Sequence, residues 1–157
     1  MFFFSTIADP NISYPQFCAY LGCASALVFS NAGAAYGTAK SSIAIANLGV
    51  VDPNKIFRAL IPIIMAGILG IYGLIVGVLM AAKADRANYI EGYAFLAAGL
   101  CCGLSSLASG LAIGVAGEAG VKAFAQTEGV FVGLILVLIF AEAIGLYGLI
   151  VAIILSV

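Results

Sequence analysis

The chain has no histidine and no tryptophan, and only 8% of its 157 residues are charged. Without imidazole it lacks the commonest metal ligand and neutral-pH acid–base group. Soluble domains carry about 25% charged residues, so there are too few polar side chains here to cover a globule in water. Lipid is the implied solvent, because 64% of the residues are hydrophobic and the mean hydropathy is +1.22. A net charge of −1 leaves no basic footprint for nucleic acid. The four cysteines, Cys18, Cys23, Cys101 and Cys102, lack CxxC spacing and sit in apolar runs. They read as small thiols filling gaps, neither a metal site nor a disulfide framework, and no metal or cofactor is expected. No GxxxxGK[ST] pattern occurs, so ATP hydrolysis would belong to other chains. The opening MFFFSTIADP lacks a basic region and a long apolar core, so it is not expected to be a cleavable signal. Asn11-Ile12-Ser13 matches a glycosylation acceptor but lies too near the first apolar run to be read as one.

What charge there is divides the sequence. None occurs between Asp9 and Lys40, between Arg58 and Lys83, or between Glu91 and Glu118, and after Glu128 only Glu142 interrupts. Each interval is long enough for a membrane helix, which needs about 20 apolar residues. The expected fold is all-α and integral to the membrane, with spans near 15–40, 56–82, 92–117 and 130–156. Spans one and three can run past the bilayer surface. Turn formers Gly49, Asp52, Pro53 and Asn54 place the first hairpin loop at 47–55, and the second falls at 120–129. The divisions are an N-terminal segment 1–14, a first hairpin 15–82, a connector 83–91 and a second hairpin 92–157. An even span count puts both termini on one side. The hairpin tips carry Lys40, Lys55, Arg58 and Lys122 against Lys83 and Arg86 in the connector, which favours cytoplasmic tips and lumenal termini.

The two hairpins are a tandem repeat. GAAYGTAKS at 33–41 matches GLAIGVAGE at 110–118, an offset of 110 − 33 = 77. IMAGILGIYGLIVGVL at 64–79 matches IFAEAIGLYGLIVAII at 139–154, an offset of 139 − 64 = 75. Both repeats hold two spans, so they are parallel, which disfavours inverted-repeat transporters. At one position the copies differ sharply: Gly67 stands where the second half has Glu142.

Glu142 follows Glu128 by fourteen positions and precedes Val157 by fifteen, in otherwise apolar sequence. At about 1.5 Å per residue this is close to the midplane of a hydrocarbon core of about 30 Å. A charged side chain there costs on the order of 2.5–3.5 kcal/mol on insertion scales, and such residues mark ion and proton pathways. A structural pairing with a buried cation is the plainer reading, but no Lys or Arg lies near mid-depth in any span. A carboxyl facing lipid without a cation is expected to be neutral.

Spans one and three are rich in small residues. Gly22, Ala26 and Ser30 recur every four residues, as do Gly33, Gly37 and Ser41. Ser106, Gly110 and Gly114 repeat that spacing, and Gly103, Gly110 and Gly117 recur every seven. GxxxG alone is a weak signal, but matching rows in two repeats imply close helix packing. Spans two and four are richer in Leu, Ile and Val. The shapes suit a ring with small residues at the inner radius and Glu142 on the outer layer.

The residues GCASA (22–26), GAAYGTAKS, PIIMAGILGIYGL (62–74) and above all IFAEAIGLYGLIVA (139–152) strongly resemble the V-type ATPase proteolipids, which build the ring of a membrane rotor. The resemblance runs from about Gly22 to the end. It implies a ring of copies and paralogous proteolipids, with Glu142 as the essential proton-binding carboxylate. It implies a membrane stator subunit that supplies an Arg cation, and central-stalk subunits that supply ATP-driven rotation. It implies a vacuolar or other acidic endomembrane. Tyr72 corresponds to a residue near the carboxylate of a neighbouring unit; the sequence leaves it equally a packing or interfacial tyrosine. Sodium-translocating relatives carry Thr and Gln where this chain has Ile68 and Leu69, and span three has no Gln, so a proton is the better ion. Other readings are a channel built from the same hairpins, distinguished by ion flux without ATPase partners, and a sodium rotor, distinguished by sodium dependence. A purely structural proteolipid leaves the cost of Glu142 unexplained.

Overall fold

A computed structural model describes residues 14–157. The N-terminal segment before Tyr14, with the MFFFSTIADP opening and the Asn11-Ile12-Ser13 match, lies outside the described residues. Among the described residues, four helices are long and apolar enough to cross a membrane. α1 spans Tyr14–Val51, α2 Ile61–Ala84, α3 Tyr89–Gln126 and α4 Val130–Ser156. A 3-10 turn, Pro53–Lys55, and one helical turn, Ile56–Ala59, lead into α2. The architecture is the expected pair of tandem helical hairpins.

The loops are shorter than turn chemistry alone suggests. α1 and α3 each hold 38 residues, about 57 Å at 1.5 Å each, so both project well beyond a core of about 30 Å. The 47–55 loop contracts because Gly49 does not break α1. Its bare face receives Ile56, whose Cδ1 would stand 3.1 Å from a Cβ at that position. The turn begins at Asp52, whose side chain accepts from the Asn54 backbone N–H at 3.2 Å. Similarly Gly120 stays helical under Leu134, and α3 ends only at Gln126. In the connector, Lys83 and Ala84 belong to α2 and Tyr89–Glu91 to α3. Asn88 and Glu91 form a capping box there, the Asn88 backbone N–H donating to Glu91 Oε2 at 2.9 Å.

α1 packs most extensively on α3. Residues 77 apart face each other along the whole seam: Pro15 and Gly92, Gly22 and Gly99, Gly33 and Gly110, Gly37 and Gly114. The same offset aligns the two sequence motifs. A constant positive offset means parallel helices with equivalent residues at equal depth. A Cβ at Gly110 would come 2.7 Å from Gly33 Cα, and one at Gly33 would come 2.6 Å from the Ser106 carbonyl oxygen. None of the described glycines has positive φ, so they are present for close approach, not for turns.

At the tip end, charged side chains tie the hairpins. Lys40 and Lys122 both meet Glu118, at 3.5 and 2.7 Å, and Lys55 meets Asp52 and Glu128 at 3.5 and 3.4 Å. Such pairs near the surface are screened by solvent and contribute little. Phe124 adds more: it is fully buried, stacks on Phe131 at 5.2 Å and lies 5.7 Å under the Lys55 ammonium. At the opposite end Lys83 Nζ donates to the backbone oxygens of Ser156 and Val157 at 3.0 and 3.2 Å. Tyr20 bonds the Asp85 carboxylate, and Gln16 Nε2 donates to the Asp85 carbonyl at 2.9 Å. The connector is thereby fastened to the start of α1.

The seam predicts a sharp contrast between glycines. Gly110→Ala drives a methyl into backbone and should cost about 1–3 kcal/mol or more, as overpacking does. Gly133, with nothing within 4 Å of a Cβ, should tolerate Ala and gain up to about 1 kcal/mol of helix propensity. Thermal unfolding of the detergent-purified protein checks this; equal responses would contradict the close-approach account.

Candidate functional site

Glu142 is the thirteenth of the 27 residues of α4. It is half-buried, on the side of α4 that faces α2. The phenolic hydroxyl of Tyr72 on α2 donates to Glu142 Oε1 at 3.1 Å. The resemblance set this tyrosine near a neighbouring unit's carboxyl; here the two groups belong to one chain, because α2 and α4 lie side by side within it. A hydroxyl-to-carboxyl bond usually measures about 2.7–2.8 Å, so this one is long and weak. Tyr72 itself is largely buried. Among the described residues no ion pair includes Glu142. The phenol is a neutral donor, which can bond either protonation state of the carboxyl.

The surroundings are apolar and close. Ile68 and Leu69, at the positions where sodium-translocating relatives carry Thr and Gln, offer no oxygen, and Leu69 is fully buried. Leu69 Cδ2 occupies the notch left by Gly145, 2.6 Å from where a Cβ would stand. No group of three His, Cys, Asp or Glu side chains converges among the described residues. The cysteines are unpaired, with Cys23 and Cys102 buried and Cys18 and Cys101 half-buried.

α4 meets α3 through its own small residues. Ala141, Gly145, Gly148 and Ala152 are buried along one face, and Gly148 fits against Ser105. The glycines singled out in the sequence all lie in contacts. Gly37 rests on Ala66 Cβ at 2.8 Å and the Gly110 carbonyl oxygen at 3.0 Å from an added Cβ. Gly103 faces the Ser25 carbonyl oxygen at 2.7 Å, Gly114 faces Tyr36 at 3.2 Å, and Gly117 faces Ser41 Oγ at 2.6 Å and Pro62 at 2.8 Å. Gly67, the counterpart of Glu142, differs from these: nothing lies within 4 Å of a Cβ there. The first hairpin thus has an open space at the equivalent position and no acid to fill it.

Sequence reasoning missed Ser109. Its hydroxyl, on α3, donates to the carbonyl oxygen of Ala141 at 2.7 Å. Within a run of Gly, Ala and Ser it looked like one more small spacer. A hint was available only in its position beside Gly110 on the packed face.

The site predicts an infrared signature. Tyr72→Phe should move the carbonyl stretch of protonated Glu142 to higher frequency, as an acid losing one hydrogen bond does, while the helical content stays unchanged. An unmoved band would show that the 3.1 Å contact does not persist in the bilayer.

The sequence profile of the ATP synthase C subunits matches the chain twice, over residues 21–80 and 96–155. The V-type proton ATPase 16 kDa proteolipid of Homo sapiens is 54% identical over 144 residues, covering 91% of this chain and 93% of that one. One of the V-type proton ATPase 16 kDa proteolipids of Caenorhabditis briggsae is 52% identical over 150 residues, covering 93% of each. The corresponding 16 kDa proteolipid of Nephrops norvegicus is 53% identical over 143 residues, covering 89% of this chain and 90% of that one.

Proposed function

The chain belongs to the ATP synthase C-subunit family, as an integral multi-pass V-type proteolipid, and on that premise we propose that it is the proton-carrying rotor subunit of a V-type ATPase membrane sector. The observation that carries this reading is one carboxyl at the middle of α4, with a neutral hydroxyl beside it and no ion-pair partner among the described residues. Copies of the chain and paralogous proteolipids form a ring in the membrane. ATP hydrolysis in other subunits turns the ring through a central stalk.

Glu142 travels through lipid as the neutral acid, because ionisation in hydrocarbon has no compensating charge. It releases its proton where a stator subunit brings an Arg beside it, since a nearby cation favours the carboxylate. The Tyr72 hydroxyl bonds one carboxyl oxygen in both states and limits how far the side chain swings. After passing the cation, the carboxylate takes a proton from the water path on the other side. Moving one charge against 100 mV costs about 2.3 kcal/mol, which the partner subunits supply. Each chain carries one proton per turn, because Gly67 leaves the first repeat without an acid. Ile68 and Leu69 give sodium no ligands, so the ion is a proton. The hairpin tips face the cytoplasm and the connector faces the lumen of a vacuole or another acidic compartment, following the four-to-two distribution of basic residues.

Glu142→Gln should assemble normally and abolish proton transport in reconstituted vesicles, because an amide exchanges no proton. Glu142→Asp keeps the acid but withdraws it by one methylene, and should retain a fraction of the activity. Full pumping by the Gln variant would overturn the assignment.

A further inference from the structure

We infer that Ser109 is a positioning residue for Glu142: its hydroxyl pins the backbone of α4 one residue before the carboxylate and so sets where that carboxyl points. This inference rests on Glu142 being the proton carrier.

Ser109 is fully buried, and its bond to the Ala141 carbonyl is 2.7 Å long. Five other described Ser and Thr hydroxyls bond within their own helix, and buried Ser30, Ser41 and Ser106 make no hydrogen bond. Ser25, Thr38, Ser42, Ser105 and Ser156 each donate to a carbonyl three or four residues back in their own helix. That is the ordinary outcome for Ser and Thr in helices. Ser109 crosses from α3 to α4 instead. The crossing runs beside Gly145: Ser109 Oγ stands 3.5 Å from where a Gly145 Cβ would be, an ordinary contact distance, while Leu69 fills the notch itself. In an α-helix the Ala141 carbonyl also receives the N–H four residues on, that of Gly145. Ser109 therefore adds a second, lateral donor to a carbonyl already in the ladder.

The lateral bond controls rotation. Successive residues of a helix are about 100° apart, so with Ala141 turned to α3, Glu142 is turned toward α2 and Tyr72. A side-chain tip lies about 5–6 Å from the helix axis. A roll of about 20° would move it by about 2 Å, enough to break a contact already at 3.1 Å. Holding Ala141 thus holds Glu142 at the Tyr72 hydroxyl.

The duplication supplies a second, independent observation. The counterpart of Ser109 by motif offset is residue 109 − 77 = 32, Ala32. The counterpart by packing is the residue in the notch of Gly70 (145 − 75 = 70), where Ala34 and Asn31 stand. Neither counterpart is a serine. The half that has the carboxylate is the half that has the hydroxyl.

The test is a double-mutant cycle in the intact rotor complex, reading the initial rate at which a lipid-soluble carbodiimide labels Glu142, per assembled ring. Removing the Tyr72 hydroxyl by Tyr72→Phe should raise that rate about three-fold or more, within the range a single hydrogen bond supports. Ser109→Ala should raise it similarly, and so should Ser109→Cys, which keeps the volume but removes the strong donor. Either Ser109 variant combined with Tyr72→Phe should label no faster than Tyr72→Phe alone, to within about two-fold. Wild-type rates in both Ser109 variants, or effects that multiply with Tyr72→Phe, would overturn the inference and show Ser109 to be interhelical glue. If Glu142 of the unmutated ring does not label at all, the proton-carrier reading itself fails, which is a distinct result.

Discussion

A carboxyl in hydrocarbon must be neutral or must have a partner, and much of this chain is arranged around that constraint. The group bonded to Glu142 is a phenol, not an ammonium or guanidinium. A phenol on α2 can bond the acid and the carboxylate alike, so it orients the group without locking its charge. A permanent cation in the same place would hold the carboxylate and prevent proton uptake. The lack of Lys and Arg at mid-depth, which lipid insertion favours, leaves no such cation within the spans. On the proposed function, ionisation then depends on a cation from outside the chain.

That arrangement needs a rigid frame, and α1 and α3 supply it. Their backbones meet at Gly22–Gly99, Gly33–Gly110 and Gly37–Gly114, with the offset of 77 that relates the two motifs. Helices in lipid gain little from hydrophobic burial, so close van der Waals contact between small residues provides the attraction. α4 then attaches to α3 through Ala141, Gly145, Gly148 and Ala152. The two hairpins differ at one matched position: Gly67 leaves an open surface, while Glu142 has the Tyr72 hydroxyl on one side and the Ser109–Ala141 bond on the other.

Much of this was legible in the sequence. Charge-free intervals marked the four spans, because hydrocarbon tolerates so few charges that their positions mark the surfaces. Glu142 stood out for the same reason. Helix ends were less legible. Gly49, Asp52 and Gly120 are turn formers in isolation, but Gly49 and Gly120 are filled by Ile56 and Leu134, and tertiary packing overrides local preference. The proximity of Tyr72 to Glu142 in one chain depends on how α2 and α4 lie together, which periodicity does not specify. Ser109 was hidden for a different reason: among small residues a serine serves as a spacer or as a donor, and only the position of α4 decides which.

The most direct test of the central claim is to map where a lipid-soluble carbodiimide reacts on the wild-type ring. The reagent requires a protonated carboxyl and enters bilayers. Of the other described acids, Asp52, Asp85, Glu91 and Glu128 lie at helix ends or in turns, and Glu118, inside α3 beyond the charge-free interval, pairs with Lys40 and Lys122. Mass spectrometry should therefore find the adduct on Glu142 alone, and modification of a few chains per ring should stop transport, with no protection by sodium. Adducts mainly on the other acids, or strong protection by sodium, would contradict the account.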